Sequence, residues 1–330
     1  MIGEFELIRR YLRPLASDSP GALALTDDAA LLTPPPGRDI VITTDAMVAG
    51  VHFLPDDPPD LVARKLLRVN LSDLAAMGAA PIGYLVAASW PQDIGRGNDE
   101  DWFAGFAAGL AADQAEFAVT LVGGDTTRTP GPMTLSLTAV GSVPSGRCLR
   151  RSTARAGDLL FVSGSIGDGA LGLAVLRGEL SGLSPEHAAD LADRYRLPRP
   201  RLALGQRLLA GGLASAALDV SDGLVADLGH IAETSGLAAR LEAAAVPLSQ
   251  AAQAVLAAEP ARLRQVLTGG DDYELLFTAR PEQAAALAAL SEELGLPLTK
   301  VGEMAAGQGV SVREASGAEM ALDSAGWTHF

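Results

Sequence analysis

The sequence predicts a mixed α/β protein of two domains, and three observations carry that prediction. At 330 residues the chain is too long for one compact core of ordinary size. Strand-like and helix-like segments alternate through both halves without a regular βαβ repeat, which favours mixed α/β over a doubly wound sheet. Between the halves, "PSGRCLRRSTARAGD" is rich in Pro, Gly and Arg and has no hydrophobic period, so the boundary falls near residues 143–155. The expected domains are 1–143 and 144–330.

The elements follow in order. "MIGEFELIRRYLRPL" carries acids early and reads as an amphipathic helix, unlike the basic region and apolar core of a signal peptide. "LALTDDAALL" reads as a strand in which period-2 alternation puts Asp28 and Thr26 on one face and Asp27 on the other. "DIVITTDAMVAGVHF" predicts a strand over 40–44 and then a glycine-bearing turn. "PPDLVARKLLRVNLSDLAAMGAAPIGYLVAASWP" predicts a helix running into Asp73 and a strand over 82–89. "NDEDWFAGFAAGLAADQAEF" is a helix with Asn98 or Asp99 as its cap. "AVTLVGGD" predicts a strand ending in two glycines, and "MTLSLTAVGSV" another strand.

In the second half "DLLFVSG" predicts a strand, with a helix from about Gly169. "LPRPR" separates two helical patterns, and "SAALDVSDGLVADLGHIAETSG" reads as strand, polar turn, helix. "RQVLTGGDDYELLFTARP" predicts a pair of strands around a glycine turn, followed by an alanine-rich helix.

Composition excludes several classes. Acids outnumber bases 40 to 25, a formal charge of −15, which argues against nucleic acid or an anionic membrane as partner. No run of about 18 apolar residues appears, so a spanning helix is not expected. The single cysteine, Cys148, excludes an internal disulfide and gives no zinc cluster. A cytoplasmic protein is the simplest expectation. Lys65 and Lys300 are the only lysines, which leaves little scope for lysine chemistry.

Gly167-x-Gly169-x-x-Gly172 has the spacing of a dinucleotide fingerprint. The expected second strand ending in an acid is missing, so a tight strand-to-helix turn is the better reading. A GxxxxGK[ST] loop is absent. His52, one of four histidines, would on sequence alone be read as structural.

One pattern recurs: an apolar run, then small polar residues or glycine, then aspartate. It leads to Asp28, Asp45, Asp73, Asp125, Asp219 with Asp222, and Asp271 with Asp272. Taken singly, each acid is better explained as a helix cap, as in "LSDLAAMG" and "VSDGLVADL". Six such sites shift the balance, because converging carboxylates repel unless cations sit among them. The donors are oxygens with at most one imidazole, a set suited to Mg²⁺ held by a few carboxylates and phosphate oxygens. Metal-assisted phosphoryl transfer is the reaction class these residues favour.

The ordered motifs "GEFELI", "TTDAMVAGVHF", "VNLSDLAAMGA", "LVGGDTTR", "LDVSDGLVADLGHI", "GGDDYELLFT" and "GWTHF" span nearly the whole chain. On them the chain resembles the thiamine-monophosphate kinases, within the superfamily of aminoimidazole ribonucleotide synthetase (PurM-like), selenophosphate synthetase and HypE. The resemblance implies two α/β domains: an N-terminal one that dimerises through its sheet, and a C-terminal one, with the active site in the cleft between them. It implies ATP-dependent phosphorylation of thiamine monophosphate to thiamine diphosphate by direct in-line transfer, with several Mg²⁺ ions. Asp28, Thr44, Asp45, Asp73, Asp125, Asp219 and Asp222 would then hold the metals, with Thr43 adding a ligand. Of these, Asp45, Asp73, Asp125 and Asp222 are the expected catalytic set. Gly124, Asp125, Arg151 and Ser221 would contact ATP, and His52, Asp271 and Trp327 thiamine monophosphate. Thr26 stands where the family has glycine, and Asp271 where it has glutamate. The family's aromatic residue near adenine falls on Ala107. The missing terminal cysteine and N-terminal Cys/Lys pair disfavour the HypE and selenophosphate branches.

Overall fold

The computed structural model describes residues 3–92, 94, 99–322 and 326. The chain divides into two compact units, Met1–Leu74 with Ala79–Gly146, and Ala75–Gly78 with Arg147–Phe330.

In the first unit the N-terminal helix is not uniform. A short α1, Glu4–Leu7, passes into a π-helical turn at Ile8–Leu12 and a 3₁₀ turn at Arg13–Ala16. Leu7, Tyr11 and Leu15, four apart as an amphipathic helix requires, are buried, and Ala16 beside Leu15 is buried too. Four strands follow: β1 (Arg38–Val48), β2 (Ala80–Pro91), β3 (Thr120–Thr129) and β4 (Thr134–Pro144). They form one sheet in the order β1-β4-β2-β3, antiparallel except for the parallel β2–β3 pair. Helices α2 (Pro59–Ala76) and α3 (Asp99–Phe117) complete the unit. Arg68 and Asp113 join these helices by a bidentate pair at 2.7 and 2.9 Å. Buried Trp90 of β2 packs edge-on against Trp102, Phe103 and Phe106 of α3.

Asn98, one of the two expected caps of α3, lies outside the described residues. β3 runs straight through its two glycines to Thr129 instead of ending at them. They are accommodated because the β2–β3 register shifts by one residue just before Gly123.

The second unit has a six-stranded sheet in the order β10-β7-β9-β5-β8-β6. Its strands are β5 (Leu159–Ser163), β6 (Ala216–Asp219), β7 (Ala238–Glu242), β8 (Leu275–Ala279), β9 (Leu298–Ala305) and β10 (Gly309–Arg313). The described helices are α4 (Asp168–Leu176), α5 (Pro185–Arg196), α6 (Leu202–Gly211), α7 (Leu224–Ser235), α8 (Gln250–Ala258), α9 (Leu263–Thr268) and α10 (Ala284–Leu294). Its core brings Leu160 and Val162 of β5 together with Leu224, Leu228 and Ile231 of α7. "RQVLT", expected as a strand, belongs to α9. Leu263, Val266 and Leu267 have the i, i+3, i+4 spacing of one helical face, and Val266 and Leu267 are buried.

Candidate functional site

On β1, side chains alternate in exposure as the pleat demands, so Thr43 and Asp45 leave on the half-covered face and Thr44 on the open one. The covered face meets α2. Thr43 Oγ1 donates to Asp73 Oδ2 at 2.5 Å. Asn70, one helical turn before Asp73 and fully buried, accepts the Asp45 N–H at 3.1 Å. Its own amide is anchored on the Leu66 carbonyl. Asn70 was not among the expected residues, although it lies inside the quoted "VNLSD" stretch. Thr44 Oγ1 donates instead to the Leu137 carbonyl across the strand pair.

Asp73 is no cap. It sits in the last turn of α2, where the helix dipole opposes a carboxylate. A negative charge placed against that field calls for a cation or a strong donor. At the C-terminal end of β1, His52 Nδ1 accepts the Val48 N–H at 3.0 Å, so a neutral ring carries its proton on Nε2.

Asp28 is held differently from the expectation. Residues 23–25 have positive φ, and "LALTDDAALL" is a 3₁₀ turn and a bend, with both acids exposed. The strand alternation therefore does not apply. Thr26 Oγ1 returns to the Leu23 carbonyl at 2.8 Å, closing the turn. Asp27 and Asp28 line the same pocket, of about 540 Å³, together with Gly124, Asp125 and Thr126 of β3. Ile8, Leu12, Leu25, Leu85 and Leu121 supply its apolar walls. Gly124 is obligatory here, since a Cβ would lie 2.0 Å from the Val86 carbonyl oxygen on β2.

The sheet also separates two groups of acids. Asp45 pairs with Leu137, Leu137 with Val86, and Val86 with Gly124, so β1 and β3 lie at opposite edges on one cross-strand row. Three strand spacings amount to roughly 14 Å along the sheet, too far for the Asp45 and Asp125 side chains to share one ion. Among the described residues no three acids, histidines or cysteines form a cage of their own.

In the second unit, Asp219 ends edge strand β6 and is buried, and Ser221 and Asp222 occupy the loop to α7. The 269–274 segment lies alongside. Asp271 N–H donates to the Ser221 carbonyl at 2.9 Å and Tyr273 N–H to that of Val220 at 2.8 Å. Close approach needs glycine at position 270, where a Cβ would fall 2.2 Å from the Ser221 carbonyl oxygen. Two motifs some 50 residues apart thus place Asp219, Ser221, Asp222 and Asp271 together. Asp271 itself has φ +70°, a left-handed conformation for a residue with a Cβ. Arg151 begins a 3₁₀ turn beside α7, and its charge counts among the influences on buried Asp227. Trp327 lies outside the described residues.

Three acids that sequence reasoning did not single out for a role organise this region. Asp227 Oδ2 accepts the N–H groups of Ser221, Asp222 and Gly223 at 3.1, 3.0 and 3.1 Å. Burial pushes its carboxyl up to about 7, against the opposing pull of those donors. Asp272 accepts from the Gly167 and Gly169 N–H groups at 2.7 and 3.0 Å. The amides of the apparent dinucleotide fingerprint are therefore occupied by an internal carboxylate. Glu274, fully buried, accepts from Ser163, Arg194 and Arg201.

Comparisons fit this architecture. Residues 26–143 match the AIR synthase related protein N-terminal domain and residues 155–314 its C-terminal domain, so the protein is of the two-domain AIR synthase-related class. Thiamine-monophosphate kinase of Caulobacter vibrioides is 45% identical over 99% of this chain and 90% of its own length. That of Salmonella typhimurium is 43% identical over 99% and 98%. The crystal structure of thiamine-monophosphate kinase from Stenotrophomonas maltophilia K279a superposes with a TM-score of 0.84 at 43% identity, covering 94% of this chain and 96% of that one. AaThiL complexed with AMPPCP and TMP gives 0.78 at 30% identity, covering 99% and 97%. The chain belongs to the thiamine-monophosphate kinase family and is an enzyme.

Proposed function

We propose that this enzyme transfers the γ-phosphoryl group of ATP directly to the phosphate of thiamine monophosphate, giving thiamine diphosphate and ADP. The observation that carries the reading is the pocket of the first unit, where apolar walls meet Asp28, Gly124 and Asp125 at its acidic side. A nucleotide base suits the former and metal-bound phosphates the latter. The related AaThiL, complexed with AMPPCP and TMP, supports the choice of donor and acceptor.

The donor set fits Mg²⁺. It is made of oxygens, and Asp73 places a carboxylate against its helix dipole. Asp28, Thr43, Thr44, Asp45, Asp73 and Asp125 of the first unit, and Asp219 and Asp222 of the second, would hold the ions. When bound, Mg²⁺ neutralises the repulsion between donor and acceptor phosphates.

The protein's own groups do the rest by positioning. Gly124 lets the nucleotide approach the backbone of β3, and Arg151 and Ser221 contact its phosphates. His52 offers Nε2–H to the substrate phosphate, and Asp271 with Trp327 receives the cationic thiazolium and aminopyrimidine rings. No strong base is required, because the attacking phosphate oxygen is already ionised. The open face of the first sheet, with Ile42 at 65% exposure and Ile40 at 38%, supports a homodimer formed through that sheet.

The test is incubation with ATP, Mg²⁺ and either thiamine monophosphate or thiamine, followed by chromatography for thiamine diphosphate. Product from the monophosphate alone is expected. Product from thiamine itself, or tight ATP binding with no product, overturns the reading.

A further inference from the structure

We propose that Asp227 is a positioning residue for phosphoryl transfer, whose carboxylate locks the loop that presents Ser221 and Asp222. The inference rests on the reading that these two side chains meet ATP and Mg²⁺.

Three consecutive backbone N–H groups, those of Ser221, Asp222 and Gly223, converge on one oxygen of Asp227. Such a nest of amides is ordinarily an anion site. Here the acceptor is an internal, buried side chain, so the loop's backbone is committed inward.

Ordinary helix capping does not account for the contact. A capping side chain reaches forward from before the helix to its first amides, or back from its first turn to the single N-cap amide. The N-cap of α7 is Gly223, which has no side chain to offer. Asp227 is inside the helix and reaches back four to six residues, to amides that precede it.

The loop is gripped from its other side as well. The Ser221 carbonyl accepts from the Asp271 N–H, so the peptides that carry the expected ATP, metal and substrate contacts form one hydrogen-bonded unit with Asp227 behind it. Removing the carboxylate frees three amides at once, and the loop then samples conformations in which Asp222 is misplaced. A displacement of about 1 Å at a phosphoryl-transfer site costs up to about a hundredfold in rate.

The test compares Asp227→Ala and Asp227→Asn with the wild type in the full-length protein. Unliganded melting temperature, calorimetric affinity for MgATP, kcat and KM for thiamine monophosphate are measured. The expected Ala variant loses about a hundredfold in kcat and about tenfold in MgATP affinity, with KM for thiamine monophosphate within about threefold. The Asn variant, which keeps one acceptor oxygen, recovers part of both losses, with MgATP affinity left about threefold below the wild type. Wild-type kcat and MgATP affinity in a folded Ala variant would overturn the proposal. So would a melting-temperature loss with neither quantity changed. Should the Ala variant not fold, the Asn variant decides: about threefold weaker MgATP binding or more at an unchanged melting temperature supports the role, and no change refutes it. If the wild type forms no thiamine diphosphate, the kinase reading fails first, and MgATP affinity still decides the role of Asp227.

Discussion

The hydroxyl of Thr43 donates to the carboxylate of Asp73 across 2.5 Å, tying edge strand β1 to the last turn of α2. Asn70, one turn earlier, accepts the Asp45 N–H, so the helix reads the strand at two successive positions of one face. A hydrogen bond to a charged acceptor contributes about 1.5–3 kcal/mol. Thr43→Val should accordingly lower kcat/KM by about 10- to 100-fold and raise the Mg²⁺ concentration needed for half-maximal rate. Thr43→Ser should remain near wild type in the same titration.

On the multi-metal reading, Asp45→Asn and Asp222→Asn keep shape but remove the negative charge that would hold Mg²⁺. Each should reduce turnover by about a thousandfold with the circular dichroism spectrum and melting profile preserved. Near-normal rates in either variant would sink the multi-metal reading.

Asp271 holds a left-handed conformation at φ +70°. An L-residue pays about 1–2 kcal/mol for it, whereas glycine adopts it freely at the expense of unfolded-state entropy. Asp271→Gly should leave stability within about 1 kcal/mol of wild type in urea titrations. KM for thiamine monophosphate should rise about tenfold or more, as expected when a ground-state contact is lost. A stability loss without a KM change would assign the strain to folding alone.

Glu274 is fully buried between Arg194 and Arg201 and also accepts from Ser163. Glu274→Gln removes the charge that the two guanidinium groups share, Arg194 keeping Asp168 at 3.7 Å, and should destabilise the second unit by about 3–5 kcal/mol in chemical denaturation. Glu293 pairs with Arg207 in the open, each about half exposed, and Glu293→Gln should stay within about 1 kcal/mol.

Asp39 accepts from the Gly146 N–H and the Ser145 hydroxyl, both at 2.8 Å, and these donors hold its carboxyl below the ordinary value of 3.8. A lowered folded-state value means that the unfolded chain binds the proton more readily. The contribution is therefore present above the unfolded-state value and lost as pH falls through the lower, folded one. Titration followed by NMR should show the 144–146 turn loosening only below about pH 4, and Asp39→Asn should abolish that acid transition.

The sequence alone determined the class of fold and picked out the recurrent acids. Strands and helices were legible because burial imposes periods of 2.0 and 3.6 on apolar residues. The recurrent aspartates were legible because charge at the end of an apolar run has to be compensated. Family resemblance then supplied the expected reaction and the expected residue roles, which periodicity cannot. Locally, the reading failed where backbone geometry overrode pattern. At 23–28, positive φ turned an apparent strand into a bend, and at 263–268 a short apolar run that suits either element became α9. Only the tertiary structure decided which groups meet. It set Asn70 and Asp73 of α2 against Thr43 and Asp45 of β1, and Ser221 beside Asp271. It also spent the amides of the apparent dinucleotide loop on Asp272 and those of the 221–223 loop on Asp227. Sequence spacing carries no information on such pairings, because they join residues through space. What selects them is that each buried donor and carboxylate must find a partner once water is excluded.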